Sequence, residues 1–319
     1  MQLFEEAYKK AFIRRFDCGS GMMMYHEQRT HKDFPGLAAE PISFFTPQGI
    51  RIAGNVYTYP GADEKRLVVF CHGIGQGHLS YITEIERICR EGYAVIGYDN
   101  VGCGRSGGEN IRGFTESLND LIACIDFVRA QERWNKAELS VIGHSWGGYA
   151  VMNLPAYRDG IHAVVSISGF ASVKLLFDEF FGAESGVPEL AYAAERQANP
   201  DYADACAAEA LAHTDARVLL IHSADDRSVS PAIGLEYVRS RISGGNVRFL
   251  LTDGKSHTPQ YTRAAAELLV NTQREYARLV AQRKLVTDAD KRRYVDGCDF
   301  AAMTAQDEDI WREIFAQLK

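Results

Sequence analysis

The sequence predicts an α/β fold: a mainly parallel central sheet with helices on both faces. Three observations predict it. From about residue 41, short apolar runs alternate with stretches whose apolar residues recur at helical spacing. Several runs, such as Leu67-Val68-Val69-Phe70-Cys71 and Ala94-Val95-Ile96-Gly97-Tyr98, are continuous rather than alternating, as strands buried on both faces must be. The chain has 319 residues, 46% of them hydrophobic and 24% charged, which is enough apolar material for a large core.

Residues 42–45 and 50–59 read as two opening strands that turn at Pro47-Gln48-Gly49 and form an antiparallel edge. Strands at 67–71 and 94–98 follow. Leu118, Leu121, Ile122, Ile125 and Val128 then mark a crossover helix, which leads into a strand at Leu139-Ser140-Val141-Ile142. Further strands are predicted at 163–167, 218–221 and 247–251.

Residues 171–214 separate two strands by far more than a crossover helix needs. They carry Leu175, Leu176, Phe177, Phe180 and Phe181, then an alanine-rich stretch. The segment reads as a small helical cap inserted over the carboxyl edge of the sheet; an extra helix on the flank is the alternative. Residues 1–40 and 283–319 stand apart as helical extensions around a core at 41–282. Leu3, Phe4, Ala7, Tyr8, Ala11 and Phe12 form one apolar stripe. Ile310, Trp311, Ile314, Phe315 and Leu318 form another, behind an acidic first turn that suits the helix dipole. Each stripe needs a partner surface: the core, the other stripe, or a second subunit in a homodimer.

A net charge of -7 argues against a nucleic-acid partner, since Lys9-Lys10, Arg14-Arg15 and Lys291-Arg292-Arg293 are short and interleaved with acids. No apolar run approaches the ~20 residues that span a bilayer. Glu5-Glu6 stands where a signal peptide carries bases. The 7 cysteines are scattered without C-x-x-C spacing, suggesting neither a disulfide framework nor zinc. A cytoplasmic protein is expected.

The chemistry gathers around Gly143-His144-Ser145-Trp146-Gly147, a G-x-S-x-G sequence between a strand and a helix. Such a turn is sharp and strained, and it lifts the serine hydroxyl out of the sheet. Its glycines leave no room for side chains where strand meets helix. A serine so placed needs a general base, and the base needs an acid to hold its tautomer. On this kind of turn the order is serine, acid, histidine. Of the histidines after Ser145, only His257 lies beyond the acidic pair Asp225-Asp226, which follows an apolar strand. Asp226 is favoured as the acid because Val229 can anchor its loop, with Asp225 and Asp253 as the alternatives. A tetrahedral intermediate also needs two N–H donors, worth about 3 kcal/mol each. The Trp146 amide and the Ile74 amide, in the loop His72-Gly73-Ile74-Gly75-Gln76-Gly77-His78, are the candidates. A phosphate cradle is the rival for that loop, but G-x-G-x-x-G and a P-loop lysine are both missing.

These segments, together with Tyr98-Asp99-Asn100-Val101-Gly102-Cys103-Gly104-Arg105-Ser106, resemble the α/β-hydrolase superfamily. Within it the chain looks like the branch of monoacylglycerol lipases, cinnamoyl and related esterases, and serine aminopeptidases, over roughly residues 41–280. The resemblance implies an α/β-hydrolase fold and a serine hydrolase of carboxylic esters, with Ser145, His257 and Asp226 as its triad, an acyl-serine intermediate and no metal or organic cofactor. His72, Gly73, Phe177, Phe180 and Phe181 are candidate pocket residues; for the three phenylalanines, packing within the cap is the alternative. An aminopeptidase or amidase on the same triad is the nearest rival, with Glu179, Glu184 or Glu189 gripping a substrate amine. A carbon–carbon bond hydrolase and a non-catalytic binding protein on the same fold are further alternatives. Two departures stand out: Val101 replaces a frequent arginine that braces its loop, and Ser223 replaces a common glycine before the acid.

Overall fold

The computed structural model describes Glu6 and residues 13–16, 29–243 and 245–319. Eight strands form one sheet in the order β1-β2-β4-β3-β5-β6-β7-β8. They are β1 (Ala38–Phe45), β2 (Arg51–Thr58), β3 (Asp63–Cys71), β4 (Tyr93–Tyr98), β5 (Glu138–His144), β6 (Ala163–Ile167), β7 (Arg217–Ser223) and β8 (Val247–Thr252). β2 pairs antiparallel with both β1 and β4, and every pairing from β4 to β8 is parallel. The antiparallel edge, the parallel remainder and all eight apolar runs therefore sit where the sequence pattern puts them. This is the α/β-hydrolase fold.

Helices cover both faces. The crossover helix Glu116–Ala130 and the helix Trp146–Asn153 bury their apolar sides in one core cluster with Leu67, Val69, Val141 and Val164. On the other face Ile82–Arg90 packs against Val68, Phe70 and Val95. The C-terminal helix Glu308–Leu318 joins that second cluster, with Trp311, Ile314 and Leu318 fully buried. Of the three surfaces open to this stripe, it takes the core of its own chain. Its start is fixed by the Asp307 carboxylate, which caps Asp309 N and Ile310 N and accepts Lys255 Nζ at 2.5 Å. The matching stripe of residues 3–12 lies outside the described residues.

Between β6 and β7 run the helices Val173–Phe181, Val187–Ala198 and Ala207–Ala212. The second docks through a buried carboxylate. Glu195 accepts Phe114 N at 2.8 Å and Thr115 N at 2.7 Å, as well as the Thr115 hydroxyl. Phe114 O in turn accepts the Trp146 indole N–H at 2.5 Å.

The loop that lacks the frequent arginine is braced from elsewhere. Val101 is buried, and its amide donates to Asp120 Oδ2 at 2.7 Å. Arg15 reaches over from the N-terminal segment and donates to Gly104 O and Gly108 O at 2.7 Å and Ser106 O at 3.0 Å. The guanidinium is supplied by another part of the chain. Among the described residues, no helix is long and apolar enough to cross a membrane.

Candidate active site

Ser145 sits at the tip of β5, immediately before the helix Trp146–Asn153, at φ 56° and ψ −113°. That is a left-handed backbone for a residue with a side chain, and its surroundings must hold it there. They do so by crowding: a Cβ on Gly143 would lie 2.2 Å from Gly147 O, and one on Gly147 would lie 2.2 Å from Cys71 O. Only glycine fits at either position, so the strand, the turn and the helix close tightly beneath the serine.

The acid and the histidine come from the loops after β7 and β8. His257 Nδ1 lies 2.7 Å from Asp226 Oδ2, whose side chain is fully buried. Asp226 Oδ1 accepts Ser228 N at 2.8 Å and Val229 N at 3.1 Å, and His222 Nε2 lies 3.3 Å from Oδ2. Burial alone would raise this carboxyl. Hydrogen bonds from His222 and His257, the His257 charge and the Val229 amide overcome it and hold Asp226 well below the usual carboxylate range. It is therefore an anion that accepts the Nδ1 proton and leaves Nε2 free to take another.

Asp225 does a different job. It accepts Ser256 N at 3.1 Å, Lys255 N at 3.2 Å and the Ser223 hydroxyl at 2.5 Å. It thus ties the histidine loop to the end of β7, and Ser223 belongs to that tie. Asp253 pairs with exposed Arg263 at 3.7 Å rather than with His257.

A relay that the sequence reading did not anticipate joins the pieces. Gly73 N donates to Tyr81 Oη at 3.0 Å, and Tyr81 Oη lies 2.8 Å from His144 Nδ1. His144 Nε2 lies 2.7 Å from His257 O. The carbonyl can only accept, so His144 carries its proton on Nε2 and takes the tyrosine proton on Nδ1. Burial, and then the neighbouring His257, push His144 down to about 3, keeping it neutral. One chain of hydrogen bonds thus connects the loop after β3, the elbow and the histidine loop. Its only sequence signal is the position of His144 inside G-x-S-x-G.

Ser145 and His257 border one cavity of about 260 Å³, without being hydrogen-bonded to each other. Gly73, Ile74, Trp146 and Phe180 share its wall. Neither the Ile74 nor the Trp146 amide donates to another described group, the latter because it opens a helix. Three of the candidate pocket residues do not reach the cavity. His72 is fully buried; its Nε2 accepts Asn100 N at 2.9 Å and its Nδ1 donates to Gly73 O at 2.8 Å. Phe177 is buried edge-on against Phe114, with Phe181 packed beside it. The helix turns Phe180 and Leu176 toward the cavity instead. Glu179 accepts Ser230 N at 3.1 Å, and no aspartate or glutamate lines the cavity.

The family described as serine aminopeptidase, S33, matches residues 62–198. A monoacylglycerol lipase of Mycolicibacterium smegmatis is 30% identical over 129 residues, which are 40% of this chain and 45% of that protein. A proline iminopeptidase of Clostridioides difficile is 30% identical over 117 residues, 35% of this chain and 38% of that one. The chain thus spans less than half the length of these curated relatives. A Pyrococcus furiosus esterase superposes with a TM-score of 0.58 at 16% identity, covering 84% of this chain and 98% of its own. At that identity the likeness is one of fold.

Proposed function

We propose that the chain is a serine hydrolase of the α/β-hydrolase superfamily, cleaving carboxylic esters through an acyl-serine intermediate; the family match over residues 62–198 and the likeness to a lipase, a peptidase and an esterase support the reading. The observation that carries the proposal is the His257–Asp226 pair at 2.7 Å opening onto the same cavity as Ser145 at φ 56°. His257 Nε2 takes the hydroxyl proton as Ser145 Oγ bonds to the carbonyl carbon. The oxyanion is held by the Ile74 and Trp146 amides. The carbon–oxygen bond to the alcohol then breaks, and the imidazolium hands its proton to the departing oxygen. A water deprotonated by His257 releases the acid and restores Ser145. The Ser145–His257 hydrogen bond belongs to the substrate complex, since such contacts tighten on binding.

Aminopeptidase action on the same residues is less well supported, because the cavity offers no acid to hold a free amine. The test is fluorophosphonate labelling, followed by a panel of short-chain esters and amino-acid anilides with Ser145→Ala as the blank. Labelling at Ser145 with ester turnover is the expected result. An unlabelled wild-type protein that hydrolyses nothing would refute the reading and favour a binding protein.

A further inference from the structure

A second cavity, of about 280 Å³, adjoins the first. Gln76, Tyr81, His144, Ser228 and His257 border both. The two differ in what they share with the chemistry and in what else lines them. The first holds Ser145 and the oxyanion amides among apolar side chains such as Phe114, Phe170, Leu176 and Val229. The second lacks Ser145 and is walled by Ser256, His257 and Thr258 on one side. Its far wall comes from the helix Arg263–Ala281 and from Phe300 and Thr304 of the C-terminal extension.

Its charge is one-sided. Arg227 and Arg274 both line it, and no aspartate or glutamate does. Among the described residues neither arginine has an ion pair or a side-chain hydrogen bond, although most other arginines of the chain have one. Two buried polar atoms of the wall, Ser80 Oγ and Gln260 Oε1, also lack hydrogen-bond partners. Glu84 stands behind the wall, accepting the Tyr261 hydroxyl at 2.6 Å and the Gln260 amide at 3.4 Å, and burial raises its carboxyl.

Catalytic geometry assigns the two chambers. The acyl group stays bonded to Ser145 and so lies in the first. The departing oxygen must receive its proton from the imidazole, and of the two chambers that His257 borders the second is the one without Ser145, so the leaving group is placed there. We infer that the substrate joins an apolar acyl group to an alcohol bearing an anion, a carboxylate or a phosphate, which Arg227 and Arg274 bind. This inference rests on the serine hydrolase reading and narrows its substrate class.

The test compares hexanoyl esters of para-hydroxybenzoate and para-hydroxybenzamide, each rate divided by that of its hydrolysis by hydroxide. The leaving groups share one ring and differ in a negative charge. The wild-type kcat/KM should favour the benzoate ester by about tenfold or more, the effect of one charge-assisted hydrogen bond. Arg274→Gln and Arg227→Gln should each shrink that ratio by about threefold or more, and Arg227→Glu with Arg274→Glu should turn the preference toward an aminomethylphenol ester. Both arginines are exposed, so folding should survive. Calorimetric binding of para-hydroxybenzoate against para-hydroxybenzamide reads the chamber without turnover. If the esters turn over with no charge preference and neither ligand is favoured, the inference is overturned and the serine reading stands. If the esters are inert but benzoate binding depends on the arginines, the chamber stands and the serine reading falls.

Discussion

The elbow and the histidine loop arrive at the same cavity by opposite means. The elbow is held by backbone contact, with Gly143 against Gly147 and Gly147 against Cys71 of the neighbouring strand so close that no side chain fits. The histidine loop is held from afar. Asp225 binds two of its amides, His144 binds the carbonyl of His257, and Lys255 is clasped by Asp307. Steric exclusion makes the first rigid, whereas the second is only as rigid as its hydrogen bonds. Ser145 thus sits on a fixed floor, whereas the setting of His257 depends on groups distant from it in sequence.

The largest effect should come at the floor: Ser145→Ala should lower kcat by about a millionfold, with Tm little changed. Next, the two adjacent acids should separate sharply. Asp226→Asn should cost about ten-thousandfold in kcat, because the amide selects the wrong imidazole tautomer. Asp225→Asn should cost about tenfold, because it only loosens the loop. Equal losses in steady-state assays would break the division of labour between these neighbours. Smaller again, Tyr81→Phe removes one link of the relay and should reduce kcat about fivefold with KM nearly constant.

The smallest effect is one of pH, and its sign differs between the regions. Asp226 is lowered, so its contribution to stability is present above the unfolded carboxyl value of about 3.9 and is lost as pH falls through and below it. Glu84, behind the C-terminal wall, is raised by burial; its contribution is present below about pH 4.3 and is lost as pH rises through its folded value. Glu84→Gln should therefore flatten the decline in Tm on the alkaline side, as followed by thermal denaturation across a pH series. A variant with the wild-type slope would show that the carboxyl stays ionised.

Legibility in the sequence follows the same division. The inner strands were readable because burial on both faces forces continuous apolar runs, the partly exposed edge strands β1 and β8 because they too are largely apolar, and the elbow because its glycines lie close together in sequence. Chain order alone picked His257, and Val229 pointed to Asp226, which the structure pairs with that histidine. The cap aromatics divide between the two readings left open for them: Phe177, Phe180 and Phe181 share one helix, and its rotation against Phe114 brings Phe180 to the cavity and packs the other two away from it. The Tyr81–His144 relay, the Asp225 tie and the Arg15 brace span 63, 31 and up to 93 residues of sequence and have no local signature. Side chains meeting across such distances are specified by tertiary packing rather than by periodicity.

Glu195 has a consequence for how a ligand gets in. Lifting the roof as a hinged door would strip a buried carboxylate of the Phe114 and Thr115 amides while the indole of Trp146 still hangs from the same stretch of backbone. Such a door is bolted to the residue that follows Ser145 in the chain. Half-exposed Phe180, on the preceding helix, borders the cavity without sharing that bolt.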